Sequence, residues 1–502
     1  MFPLPHTKGK KYGVFGLGKT GLATCRALTD SGAEAFCWDE VRGARQQTEG
    51  TKFEASHPKE WPWAELAAVV VSPGVPLTHP KPHVIVRKAR QENVPVTGDL
   101  DLFAAGLEAI AGEGPRVIAV TGSNGKSTTT ALIGHLLKEA GRKVYVGGNI
   151  GDPILELPAP SADATYVLEL SSYQLDLATQ FRPNTSVFLN ISEDHLDRHG
   201  SMENYIAAKR KIFQNQDDGD TAVIGIDDDF SQVVCASLSE QSKRPTILQV
   251  SSSGALGSGV FALDGRLYYR LGEKVGEVGD LTSAASLSGP HNAQNAAAAL
   301  AVAIVEGLSP PVVAKSLERF RGLPHRSEVV AVKNDVHFIN DSKATNVAAT
   351  AASLKSYDSV YWIAGGVAKD SSEHGEGGMA SLVPCMSRVA HAYFYGEAAD
   401  HFEQALGSAV TVTRCKDLTE AVAKATADAL ANDLVSSDGP QKTAVLLAPA
   451  AASFDQFKNF EERGTLFRTE VLAQLEAFSA DAQNASAGLS SGSGPVSNGA
   501  AA

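Results

Sequence analysis

The run Arg116-Val-Ile-Ala-Val-Thr-Gly-Ser-Asn-Gly-Lys-Ser-Thr-Thr-Thr130 constrains the fold of this chain more than any other stretch. Val117–Val120 is short, β-branched and apolar, the pattern of a buried strand. A small-residue turn follows over Thr121–Thr128, and Thr129–Glu139 has the apolar spacing of a helix. Strand, glycine turn and helix make a cradle in which backbone N–H groups and the helix N-terminus face one anion. Lys126 adds a point charge, and Ser127 or Thr128 offers a hydroxyl to a magnesium ion. The common phosphate loop sets its two glycines five positions apart, whereas Gly122 and Gly125 are three apart. So short a loop argues against a GTPase or a motor and reads as an ATP site. Its contacts are expected from Gly122, Ser123, Asn124, Gly125, Lys126, Ser127 and Thr128.

A second glycine turn lies near the start of the chain. Tyr12–Phe15 reads as a strand, Gly16-Leu-Gly-Lys-Thr-Gly21 follows at once, and Leu22–Ser31 reads as a helix. Ala35–Trp38 is a further strand that ends at Asp39. Taken alone, this Rossmann fingerprint points to NAD. Its physics asks only for a diphosphate on a helix N-terminus and a carboxylate reaching a hydroxyl or N–H, so any nucleoside diphosphate satisfies it. Val69–Val75 is another strand running into a Ser72-Pro-Gly74 loop on the same crevice, and Trp61 and Trp63 are expected to pack on the surface of this unit.

Beyond the phosphate loop, Lys143–Gly147, Tyr166–Leu170 and Ser186–Ile191 read as strands with polar residues at their carboxyl ends. Open α/β sheets bind ligands there, which makes Glu169 and His195 candidates for magnesium or substrate. A solvated strand end and a surface loop account for the same two residues. Lys209, Arg210 and Lys211 lie on an expected helix, Asn204–Gln214, and read from spacing as a solvated face. Residues 240–288 read as strands and turns, Ala296–Val305 as a buried helix, and Leu323–Glu328 as an exposed boundary loop. A third α/β unit follows, with strands expected at 336–339, 360–363, 391–395, 409–412 and 444–447.

At 502 residues the chain is long enough for two to four domains. Its formal charge of −13 argues against nucleic acid or an acidic membrane as a general partner. Five scattered cysteines without CxxC spacing fit reduced thiols. No signal-peptide core or bilayer-length apolar run is present, so a soluble, cytoplasmic protein without membrane insertion is expected.

Three motifs occur in order: Thr121-Gly-Ser-Asn-Gly-Lys-Ser-Thr128, Asn340-Asp-Ser-Lys-Ala-Thr-Asn346 and Ser453-Phe-Asp-Gln-Phe-Lys-Asn-Phe460. Together they resemble the bacterial Mur ligase family over about residues 10–470. The last two motifs are the selective ones and resemble its D-glutamate-adding members. The resemblance implies an α/β protein of three domains: a Rossmann-like domain at 1–108 for the UDP-substrate, a central P-loop-type ATP domain at 109–322, and a Rossmann-like amino-acid domain at 323–478. The tail, 479–502, is rich in Ala, Ser, Gly and Asn and is expected to be disordered. The implied reaction joins D-glutamate to UDP-N-acetylmuramoyl-L-alanine at the expense of ATP, with magnesium, in a monomer.

The family's site residues carry over by motif. Leu17, Gly18, Lys19, Thr20, Asp39, Ser72 and Gly74 match the nucleotide-facing positions of the first domain, and Asn149 matches a muramoyl contact. Ser127 and Glu169 match one magnesium site; His195 and Lys209, the latter carbamylated, match the second. Asn295, Arg326 and Asp341 match adenine and ribose contacts. His195, Lys343, Thr345, Lys369, Ser453 and Phe460 match positions around D-glutamate. Lys126, His195, Lys209 and Lys343 are thereby the implied catalytic residues. Two other classes use parts of the pattern. An NAD-linked oxidoreductase leaves the Lys126 loop without a purpose, and a nucleotide-gated scaffold uses that loop without turnover.

Overall fold

The β-branched runs assemble into three sheets in a computed structural model that describes residues 1–110, 114–281, 284–287, 290–367, 378–432 and 442–490. Two sheets belong to one compact unit, Met1–Phe320, and the third to another, Arg321–Ala502.

The first sheet holds β1 (Lys11–Phe15), β2 (Glu34–Trp38), β3 (Leu66–Val71) and β4 (Val96–Thr97), all parallel, in the order β2-β1-β3-β4. The order reverses at β1, and a crevice opens between the carboxyl ends of β1 and β3, where such sheets take ligands. Trp61 and Trp63, expected on the surface, are only 4% and 8% exposed. The reason is local: Gly13 in β1 has no side chain, and the Trp61 indole occupies the space a Cβ would need.

The second sheet has nine strands. They are β5 (Arg116–Thr121), β6 (Lys143–Gly148), β7 (Ala164–Glu169), β8 (Thr185–Phe188), β9 (Thr221–Gly225), β10 (Thr246–Ser251), β11 (Gly259–Leu263), β12 (Arg266–Leu271) and β13 (Lys274–Asp280). In the order β13-β12-β11-β10-β9-β8-β5-β7-β6, pairing is parallel except across β11-β12-β13. Parallel strands covered on both faces must be apolar throughout, and Ile118, Ala119, Val120, Val167, Leu168 and Val187 are fully buried. Helices Lys126–Glu139 and Pro290–Val305 pack on one face; the buried alanines Ala296–Ala299 let the second approach closely.

The two sheets of this unit are joined by polar contacts. Arg26 pairs with Glu156 at 2.6 Å, and Asp101 accepts from the Thr179 and Gln180 N–H groups at 2.9–3.0 Å. Beside it, Asp99 is buried with Oδ1 lacking a partner, and burial pushes its carboxyl up to about 6. A carboxyl raised in the folded state stabilises the fold below the unfolded pKa and loses that contribution as pH rises through the folded value. Stability should therefore decline between pH 4 and 6 by roughly 3 kcal/mol at most. Chemical denaturation of Asp99→Asn across this range should show a flatter profile than the parent; an unchanged slope assigns the pH dependence elsewhere.

The Arg321–Ala502 unit holds β14 (Glu328–Lys333), β15 (Val336–Asn340), β16 (Ser359–Gly365), β17 (Val389–Tyr395), β18 (Val412–Arg414) and β19 (Thr443–Leu447). Their order is β14-β15-β19-β16-β17-β18, parallel apart from the β14-β15 pair. Strand β14 has no counterpart in the sequence reading, which ended in a boundary loop at Glu328. The strand expected at 409–412 begins instead at Val412, because the Ala409 and Val410 N–H groups cap Leu406 O at the end of the preceding helix. The last helix runs Phe460–Ser490, past the expected end of order at 478. Its alanines favour helix; the remainder of the expected tail, 491–502, lies outside the described residues. All five cysteines are buried free thiols. Among the described residues, no helix is long and apolar enough to cross a membrane.

Candidate active site

The phosphate loop has the backbone that its glycines allow. Gly122 has φ 153° and Gly125 φ 80°, the latter directly before helix Lys126–Glu139. A Cβ on Gly125 would run into Asn295 Oδ1, which accepts from Thr129 Oγ1 at 3.2 Å. Asn295 in turn donates to Asn292 Oδ1 at 3.1 Å. Ser123 is locked by Ser192 N–H (2.9 Å) and the Tyr205 hydroxyl (3.0 Å), and Asn124 N–H donates to Asn190 Oδ1 at 2.8 Å. The carboxyl end of β8 thus holds the turn open. Gly125→Ala combines a clash with about 1–3 kcal/mol of backbone strain. It should weaken binding of a non-hydrolysable ATP analogue at least tenfold by calorimetry, and unchanged affinity means the loop is not the nucleotide cradle.

Two lysines converge here. Lys126 Nζ donates to Gly122 O and Ser123 O at 2.9 and 2.8 Å, and Lys209 Nζ reaches the same Gly122 O at 2.8 Å. Lys209 is 1% exposed, so the solvated face expected from spacing is wrong at this position. Helix Met202–Arg210 turns it inward over the Tyr205 ring, at 4.8 Å. Burial, then the Lys126 charge, hold its ammonium well below the usual lysine range. Both causes act in one direction, against the charged form beside a second ammonium.

Glu169 ends β7 beside the loop and is 2% exposed. Asn149 Nδ2 donates to its Oε1 at 2.8 Å, while Oε2 is buried without a partner. An orphaned carboxylate oxygen is costly and fits a cation ligand. Ser127 is buried at the first turn of the helix and Thr128 half-buried beside it. His195 follows β8 in a left-handed conformation (φ 54°), its Nδ1 3.0 Å from the Tyr173 hydroxyl and its Nε2 3.3 Å from Asp194 Oδ2. Among the described residues, no three His, Cys, Asp or Glu side chains form a metal cluster.

In the N-terminal crevice, Gly16 has φ 95° and lies against Ser72, whose Oγ donates to Gly16 O at 3.0 Å. Gly21 lacks a Cβ where one would meet Gly16 O, so helix Lys19–Asp30 sits close on the turn. Gly18, Lys19 and Gly74 are exposed and Thr20 half-buried. Leu17 is different: its side chain is fully buried and its N–H donates to Asp39 Oδ2 at 2.6 Å. Asp39 also accepts from Val41 N–H at 2.8 Å. The carboxylate therefore organises the turn.

The Arg321–Ala502 unit gathers its own candidates where β15, β16 and β19 end. Asp341 is buried, which pushes its carboxyl up, and Ser353 donates to it, while Arg326 and Lys343 lower it in part. Lys343 Nζ lies 5.6 Å from the Phe460 ring centroid, and Phe460 O accepts from Ser342 Oγ at 2.8 Å. Thr345 is half-buried and Ser453 is 2% exposed. Lys369 lies outside the described residues. Arg463, which the motif reading passed over, is fully buried at the centre of these loops. It donates to Ser342 Oγ (2.9 Å), Ser342 O (2.8 Å), Gly365 O (3.2 Å) and Ala451 O (3.1 Å).

Residues 120–303 match the family model of the Mur ligase middle domain, and 325–439 that of the Mur ligase glutamate ligase domain. The UDP-N-acetylmuramoylalanine–D-glutamate ligase of Caulobacter sp. (strain K31) is 48% identical over 472 residues, covering 94% of this chain and 98% of that protein. The enzyme of the same name from Brucella abortus (strain 2308) is 43% identical, covering 94% and 98%. Among solved structures, UDP-N-acetylmuramate-alanine ligase from Thermotoga maritima has the same fold, with a TM-score of 0.54 at 18% identity, covering 94% of this chain and 99% of that one. A UDP-N-acetylmuramoyl-L-alanyl-D-glutamate–2,6-diaminopimelate ligase gives 0.55 at 18% identity, covering 94% of each. The chain belongs to the Mur ligase family.

Proposed function

We propose that this protein is an ATP-dependent ligase that joins D-glutamate to UDP-N-acetylmuramoyl-L-alanine, a cytoplasmic step of peptidoglycan precursor synthesis. The observation that carries the reading is the 48% identity, over 94% of the chain, to a UDP-N-acetylmuramoylalanine–D-glutamate ligase, and the glycine backbone of the Lys126 loop supports it. The three proposed domains, 1–108, 109–322 and 323–478, each contain one sheet and each take one substrate.

The alanyl carboxylate of the UDP-substrate attacks the γ-phosphorus, ADP leaves, and an acyl phosphate forms. The deprotonated amine of D-glutamate then attacks the acyl carbon, and phosphate departs as the amide forms. Both reactants of the first step are anions. Lys126 and the N–H groups of its loop hold the phosphates and offset their charge. Ser127, Glu169, His195 and Lys209 would hold magnesium, which when bound would supply further neutralisation of the phosphoryl oxygens. Lys209 would enter that set as a carbamate, and burial, which disfavours its charged form, supports that reading. Lys343, Thr345, Lys369, Ser453 and Phe460 are the proposed D-glutamate contacts, and Lys343 is the proposed donor to the oxyanion of the second step. Arg326, Asp341 and Asn295 are the proposed adenosine contacts. Leu17–Thr20, Asp39, Ser72, Gly74 and Asn149 serve the UDP-substrate, Leu17 and Asp39 by shaping the turn. The protein is proposed to act as a monomer.

Release of ADP and phosphate should require UDP-N-acetylmuramoyl-L-alanine and D-glutamate together. Equal release with L-glutamate, lysine or diaminopimelate would remove the acceptor assignment, and NAD reduction instead of ATP turnover would remove the reading altogether.

A further inference from the structure

Arg198 is buried, at 6% exposure, and two of its three guanidinium nitrogens, Nε and Nη1, have no hydrogen-bond partner. The third, Nη2, donates to Val75 O at 3.1 Å. The nearest carboxylate, Asp176 Oδ2, is 3.9 Å from Nη1 and shares its charge with Lys211. A desolvated guanidinium with unpaired donors costs stability, so a stability role alone does not explain it. Its surroundings do. Val75 follows the Ser72–Gly74 loop that lines the N-terminal crevice, and Val75 N–H is tied back to Ser72 O at 2.9 Å. On its other side the guanidinium lies over the Tyr173 ring, at 5.4 Å. The Tyr173 hydroxyl is the partner of His195 Nδ1, and the Tyr173 and His195 rings are 5.0 Å apart. Arg198 sits three positions after His195, in the helical turn Leu196–His199. That turn is pinned by His199, bonded to Ser172 Oγ at 3.0 Å, and by Gly200 packed against His79.

We propose that Arg198 is a positioning residue that couples the loop of the N-terminal crevice to the imidazole of His195 through Tyr173. A nucleoside diphosphate in the crevice then orients a group of the ATP site that it does not touch. The planar fork is what the role needs: one edge reads a carbonyl while the cation lies over the phenol ring. A lysine ammonium is a point charge that offers no planar fork. The coupling rests on the proposed function only for the identity of the nucleotide.

The test uses UDP as the probe and full-length protein labelled with 15N-histidine. The His195 resonances are assigned by their loss in His195→Gln. Saturation with UDP should shift them in the parent chain. In Arg198→Lys, UDP should bind within about threefold of the parent affinity by calorimetry while the His195 shift disappears. Turnover should fall at least tenfold, with the KM for ATP and for D-glutamate within threefold of parent. Tyr173→Phe, which leaves Arg198 in place, should likewise abolish the shift and serves if the arginine variant does not fold. Combining the two should cost no more turnover than the worse single variant. A His195 signal that moves equally in parent, Arg198→Lys and Tyr173→Phe overturns the coupling. UDP that binds the parent without moving His195 also overturns it and leaves the functional reading intact. Failure of UDP to bind the parent at all overturns the reading of the crevice.

Discussion

Replacing Lys126 by alanine should lower ADP release by about two to three orders of magnitude and leave the fold in place. The ammonium bonds two carbonyls of its own loop, Gly122 O and Ser123 O, from a half-buried position at a loop–helix junction. Truncation there opens no core cavity. The lost charge, by contrast, is the proposed means by which the loop offsets phosphate oxygens as negative charge spreads in the transition state. Turnover and thermal unfolding should therefore separate: a large loss in the first, a shift of only a few degrees in the second. Methionine, of similar length without the charge, should behave like alanine. Near-normal ADP release from either variant would mean that the loop has been assigned to the wrong chemistry.

Arg463→Ala should have the opposite signature. Four acceptors, Ser342 Oγ, Ser342 O, Gly365 O and Ala451 O, lose their shared donor in a region without solvent. At about 1–3 kcal/mol per orphaned buried group, and allowing for relaxation, the Arg321–Ala502 unit should lose about 4 kcal/mol. Whole domains have only about 5–15 kcal/mol in hand, so this unit should become the first to unfold, seen as early proteolysis within it. Lysine should recover only part of the loss, since its three donors cannot reproduce a planar fork. A variant with parental protease resistance would show that the loops hold their shape without the hub.

The strand, glycine turn and helix around Lys126 were legible in the sequence because their requirements are local. Positive φ at Gly125 needs glycine, and a strand–turn–helix pattern reveals the direction of the N–H groups. The close turn of the N-terminal crevice was legible for the same reason, but the ligand it takes was not, because Gly16, Gly18 and Gly21 specify only a backbone path. Lys209 shows where periodicity fails. With Arg210 and Lys211 beside it, composition says surface, and only the packing of Tyr205 against the phosphate loop buries it. Arg463 and Arg198 were missed because an isolated arginine on a helix has no local signature of burial. Strand β14 was missed although Val329, Val330 and Val332 carry a strand's composition; the neighbouring Leu323-Pro-His segment drew the reading toward a loop. Tyr173 and Tyr205 had no signal that one sequence could supply, since their roles arise from partners far along the chain.

The burial of all five thiols has a practical consequence. Cys25 and Cys37 lie around the first sheet, Cys235 beside the second, and Cys385 and Cys415 within the Arg321–Ala502 unit. An alkylating reagent reaches each sulfur only when its surroundings open. Timed modification with peptide mass mapping thus turns the native cysteines into five clocks, each recording how often its part of the protein transiently unfolds.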